Sequence, residues 1–88
     1  MQDTDRYTIH VLLGPSRDKV IAFARKNNLD EAGAVYKSII NGQEQYNLIY
    51  GSFGSHSEAG RALAQLPETA RANSPWIRKF AAIIKEIE

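Results

Sequence analysis

The chain contains no cysteine among its 88 residues. Disulfides, thiolate metal sites and cysteine nucleophiles are excluded together. Of the two histidines, neither His10 nor His56 has a second ligand at metal-binding spacing. No apolar run approaches the roughly 18 residues that a membrane-spanning helix needs. Charge of one sign is also lacking: eleven basic against ten acidic residues leave a formal net charge of +1. No strong field steers this chain to nucleic acid or to an anionic membrane. There is no Gly-x-Ser-x-Gly elbow for a serine nucleophile. Gly51-x-x-Gly54 precedes a helix but lacks the lysine of a P-loop and the third glycine of a dinucleotide fingerprint. No pair of acids is spaced to flank a bond in a cleft. No enzyme class and no cofactor is expected.

What is present is a repeated phrase. Tyr7-Thr8-Ile9-His10-Val11-Leu12-Leu13-Gly14 leads to Ser16 and an amphipathic run from Asp18 to Asn27. Tyr46-Asn47-Leu48-Ile49-Tyr50-Gly51-Ser52-Phe53 leads to Ser55 and a second run from Glu58 to Leu66. Each reads as strand, glycine turn, helix. Ser16 suits a helix N-cap, and Ser55 with Glu58 fits a capping box. In the first helix Val20, Phe23, Ala24 and Asn27 form the inward stripe; in the second, Ala59, Ala62, Leu63 and Leu66. Ala34 to Ile40 is a third apolar alternation. Asn41-Gly42, the preferred pair for a type I′ turn, joins it to the second phrase. The pairing that follows sets Ile40 opposite Gln43, Ser38 opposite Gln45, Tyr36 opposite Asn47 and Val35 opposite Leu48. Pro67 ends the second helix. Glu68 to Ser74 is a polar connection with one irregular helical turn, Pro75 to Phe80 a short fourth strand, and Ala81 to Ile87 a terminal helix.

The order β-α-β-β-α-β, with right-handed crossovers, gives an α+β fold of ferredoxin-like or ribonucleoprotein-like type. It has a four-stranded antiparallel sheet, two helices on one face and an extra C-terminal helix. Residues 1–6 form a disordered N-terminal tail, and residues 7–88 form one domain. A domain of this size buries only about 60–65% of the surface its unfolded chain exposes. It has room for one core and little for an enclosed cavity. The polar start, Gln2 to Arg6, reads as the end of a linker, so the fragment is expected to have lost a membrane anchor.

Strict alternation places Tyr7, Ile9 and Val11 on the core face of the first strand. Thr8, His10 and Leu12 then lie on the face away from the helices. The hairpin adds Tyr36, Ser38, Gln45 and Asn47 to that face, with Ile40 and Ile49 at its margins. Trp76 and Tyr50 are assigned to the core, where aromatic burial contributes most. The exposed face therefore offers neutral hydrogen-bonding groups, one aromatic ring and aliphatic carbon. That mixture suits a sugar chain, whose hydroxyls and amides need paired donors and acceptors and whose ring faces lie on apolar surface. An ordinary solvated sheet face has the same pattern.

At these residues the chain resembles the SPOR (sporulation-related repeat) domains of bacterial cell-envelope proteins. The carriers are Tyr7 to Leu13, the hairpin Asn41-Gly42-Gln43 through Phe53, the alanine-rich helix through Leu66-Pro67, and the tail Ala72-Asn73-Ser74-Pro75-Trp76-Ile77-Arg78. The resemblance covers about Tyr7 to Glu88. It implies the same fold and binding of septal peptidoglycan, in particular glycan strands stripped of stem peptides. It also implies a monomeric periplasmic domain of an inner-membrane protein, working beside other divisome proteins, with no membrane contact and no nucleic acid of its own. The contact residues expected are Thr8, His10, Leu13, Tyr36, Ser38, Gln45 and Asn47. Family members often carry glutamine at the His10 position and a small polar residue near Leu13; some carry tryptophan in the third strand, where this chain has Gln45. Tyr36 is expected to supply part of that lost ring surface. A ligand contact by His10 implies affinity that changes between about pH 5.5 and 7.5.

Two other readings share the topology. An RRM-like binder of single-stranded RNA displays aromatics on its central strands and carries basic flanks. A protein–protein module would use the terminal stripe of Phe80, Ile83, Ile84 and Ile87.

Overall fold

The computed structural model describes residues 6–72 and 74–86. Eight elements follow in the order β1 (Tyr7–Gly14), α1 (Arg17–Lys26), β2 (Gly33–Ile40), β3 (Gln43–Phe53), α2 (His56–Ala64), α3 (Glu68–Arg71), β4 (Trp76–Lys79) and α4 (Phe80–Glu86). The four strands form one sheet in the order β2-β3-β1-β4, and all three pairings are antiparallel. This is the α+β, ribonucleoprotein-like arrangement expected from the alternation. Of the expected N-terminal tail, residues 1–5 lie outside the described residues. Arg6 donates from Nε to the Ser52 hydroxyl at 2.6 Å and from Nη2 to the Ser52 carbonyl at 3.0 Å.

The hairpin forms in the expected register, with Ile40 opposite Gln43, Ser38 opposite Gln45, Tyr36 opposite Asn47 and Val35 opposite Leu48. Asn41 and Gly42 both adopt positive φ, at 53° and 81°, as a type I′ turn requires. Its twist matches that of the flanking strands and fixes which side chains share a face. The Ser16 hydroxyl accepts from the Lys19 amide at 3.4 Å and caps α1. Ser55 accepts from the Glu58 amide at 3.2 Å and caps α2. The Glu58 carboxylate accepts from the Gly54 amide at 3.0 Å, one residue before the cap that a capping box would engage. Both helices start earlier than their apolar stripes suggested, because the capping serine rather than the first apolar residue sets the boundary.

One core lies between the sheet and α1 and α2. Ile9, Val11, Val20, Ala24, Leu29, Leu48, Leu66 and Ala70 are buried together, with Phe23, Val35, Tyr46, Tyr50, Ala62 and Leu63 packed against them. Each fully buried aliphatic side chain contributes roughly 1.5–3 kcal/mol relative to exposure. Asn27 caps α1 and is buried: its amide donates to the Phe23 carbonyl at 3.0 Å, and its oxygen accepts from the Thr69 hydroxyl. That contact ties α3 to the end of α1.

Two bulges interrupt the alternation of the central pair. Between His10 and Leu12, β1 advances two residues while β3 advances one, from Ile49 to Leu48. Val11 and Leu12 therefore both face the core, and Leu13, opposite Asn47, emerges on the other side. This corrects the strict alternation, which had set Leu12 on the outer face. The second bulge lies on β3, where Tyr7 pairs with Phe53 but Ile9 pairs with Tyr50. Gly51 sits there at φ +79°. The Thr8 hydroxyl meets both the Tyr50 and Gly51 carbonyls, at 3.1 and 2.8 Å.

Three substitutions test these placements by urea denaturation. Gly42→Ala meets open space but keeps φ +81°, and should cost about 1–2 kcal/mol. Gly33→Ala would place a Cβ 2.2 Å from the Leu29 carbonyl oxygen, so the backbone must shift, and the loss should be larger, about 2–3 kcal/mol. Thr8→Val keeps the shape but removes the hydroxyl at the bulge, and should cost about 1–2 kcal/mol.

Candidate functional site

The sheet face away from α1 and α2 is built in two layers. The inner layer is polar. Thr8, His10, Ser38 and Asn47 project from β1, β2 and β3 and are 0%, 1%, 5% and 2% exposed. Three of them form a continuous row. The Asn47 amide donates to the Ser38 hydroxyl at 2.9 Å and to the Tyr36 carbonyl at 3.2 Å. Its oxygen lies 2.9 Å from His10 Nε2. The row crosses three strands because register places Ser38 and Asn47 diagonally across β2 and β3, and Asn47 and His10 diagonally across β3 and β1.

The outer layer covers this row. Trp76, the first residue of β4, is paired with His10. Its indole stacks on the imidazole, with ring centroids 4.2 Å apart and planes inclined by 24°. Two residues on, Arg78 donates from Nη1 to the Tyr36 hydroxyl at 3.3 Å, reaching from the β4 edge to the β2 edge of the sheet. Beyond it, Phe80 lines a shallow apolar depression with Ala34 and Ile49 of the same face. Ile83 is 2% exposed yet lies outside the core under α1 and α2. Phe80, the first residue of α4, thus brings the start of that helix beside the Ile49 end of this face.

The face is thus not open along its length, as alternation alone suggested. Of the residues expected to contact ligand, Thr8, His10, Ser38 and Asn47 are brought together but lie beneath other side chains. Tyr36 and Gln45 are partly exposed, and Leu13 is 43% exposed. These three surround the Gly14–Gln43 end of the face, together with exposed Ile40. Trp76 is 47% exposed, which corrects its assignment to the core. It is the functional candidate that alternation missed. The signal lay in Pro75-Trp76-Ile77-Arg78: alternation puts Trp76 and Arg78 on one face, but nothing local says which. The indole enters from β4 the same face that carries Gln45.

No helix among the described residues is long and apolar enough to cross a membrane. Among the same residues no group of three histidines, cysteines or acids could hold a metal ion. Burial of Ile83 removes one of the four residues of the terminal apolar stripe from any partner; Ile87 lies outside the described residues.

The ribonucleoprotein-like α+β fold agrees with what comparison with known proteins finds. The chain is 29% identical over 82 residues to "Cell division protein DamX" of Serratia marcescens. The match covers 93% of this chain but 38% of that relative, so the chain spans well under half the relative's length. The model of the SPOR domain family matches residues 4–79, and on that match, which takes in β1 through β4, the chain belongs to the SPOR domain family.

Proposed function

We propose that this domain is a non-catalytic binding module for peptidoglycan. It engages glycan strands stripped of their stem peptides at the septum and directs its parent protein to the division site. The observation that carries the reading is the exposed Trp76 ring held flat against His10. Sugar rings present flat C–H faces that stack on such an indole. Around it Tyr36 and Gln45 offer neutral donors and acceptors, and Leu13 and Ile40 add apolar surface. The family, and a relative named for cell division, support the same reading. In it Thr8, His10, Ser38 and Asn47 shape the surface, while Leu13, Tyr36, Gln45 and Trp76 touch the strand.

A shallow site of this kind admits a bare sugar chain lying along it and excludes one whose peptides protrude. Binding is weak to moderate, because the contact is open and wet. The domain acts as a monomer in the periplasm, as part of a protein anchored in the inner membrane. Other division proteins are its neighbours there.

Titration of the labelled domain with purified, peptide-free glycan strands tests the proposal. The Trp76 indole, Gln45, Leu13 and Tyr36 signals should shift, while those of α1 and α2 stay in place. Shifts confined to the helices, or none at all, overturn it. Trp76→Ala should weaken pull-down of peptidoglycan by about tenfold or more, on the scale of a lost aromatic stack. Tyr36→Ala should weaken it by less, and pull-down equal to the parent's removes Tyr36 from the surface. Affinity should barely respond between 50 and 200 mM salt, where a nucleic-acid complex with several phosphate contacts loses orders of magnitude.

A further inference from the structure

Trp76 opens a strand of only four residues at the sheet edge, joined to β1 alone. Backbone pairing sets its Cα opposite His10 but leaves its side-chain torsions to packing. The surface under the indole is the His10 imidazole, so the plane of that imidazole decides the plane of the platform. At its Nε2 edge the imidazole is held by Asn47. Both hydrogens of the Asn47 amide are committed, one to the Ser38 hydroxyl and one to the Tyr36 carbonyl. Its oxygen is therefore the atom facing His10, and a contact of 2.9 Å requires the hydrogen to sit on His10 Nε2. A ring tied at one edge and covered on one face has little freedom left.

We propose that Asn47 is a positioning residue for the ligand platform. Ser38 and the Tyr36 carbonyl orient its amide, the amide orients His10, and His10 is the pedestal that holds Trp76 flat toward the ligand. Asn47 is 2% exposed and Ser38 5%, so neither touches a ligand lying on Trp76. Their contribution is preorganisation: the ring is already placed when the sugar arrives, and less ordering is needed on binding. This inference rests on the reading of Trp76 as the glycan platform, but it has consequences without any glycan.

The chain has one tryptophan, so near-ultraviolet circular dichroism in the indole region reports Trp76 alone. Asn47→Leu should keep the far-ultraviolet spectrum, lose much of the indole signal and bind peptide-free glycan strands about tenfold more weakly. His10→Phe, which keeps a ring but not the Nε2 donor, should do the same. The double variant should be no worse than either alone, because both cut one chain of contacts. An unchanged indole signal in Asn47→Leu, or effects that multiply in the double variant, overturn the proposal. Should Asn47→Leu fail to fold, long-range nitrogen–proton correlation on the parent domain decides: the hydrogen on His10 Nε2 supports the pedestal, and a neutral ring carrying it on Nδ1 overturns it. Absence of glycan binding by a parent domain with an intact indole signal would instead sink the functional reading and leave the pedestal standing.

Discussion

Four polar side chains lie buried on the sheet face away from α1 and α2, where the four-residue edge strand β4 lays its Trp76 ring over His10. An unsatisfied buried polar group costs about 1–3 kcal/mol, and a domain of this size has only about 5–15 kcal/mol of net stability. Such groups are tolerable only if they satisfy one another. Thr8 does so on the carbonyls of the β3 bulge, and Ser38, Asn47 and the Nε2 edge of His10 do so as a row. Once committed inward, they are withdrawn from any ligand. What the face presents outward is the layer above, where Trp76 lies over His10 and Arg78 meets the Tyr36 hydroxyl.

The two layers also divide the face. Toward the end where β1 begins, Phe80 at the start of α4 flanks Ile49 and Ala34, Arg78 reaches Tyr36, and Ile83 is buried beyond the main core. Toward the hairpin turn Leu13, Ile40 and Trp76 are each more than two-fifths exposed. The result is a short platform rather than a groove running the width of the sheet. An extended polymer is a better match to such a surface than a compact ligand, which would need enclosure to bury most of its area.

How much of this was legible in the sequence differs by element. The Asn41-Gly42 turn fixed the β2–β3 register residue by residue, because the turn conformation and the pleat leave no freedom once the two loop residues are known. The helices and the core stripe followed from periodicity, and the caps from the serines that precede each run. The bulge at Val11 did not: Val11, Leu12 and Leu13 are all apolar, so alternation carries no mark of the extra residue. The consequence was a wrong side for Leu12. Trp76 was illegible for a different reason. A four-residue edge strand has no register until its neighbour is known, and a tryptophan fits a core as well as a surface. The burial of His10 follows from Trp76 and was hidden with it.

The histidine itself shows why a site built in layers tolerates exchange. The family resemblance implies glutamine at this position, and either side chain can donate a hydrogen bond to the Asn47 oxygen. Only the imidazole adds an aromatic face, and the Trp76 plane lies within 24° of it at 4.2 Å. An indole resting on a ring keeps more of its stacking contact than one resting on a narrower amide. His10 therefore combines a buried hydrogen bond to Asn47 with an aromatic support for the ring above it.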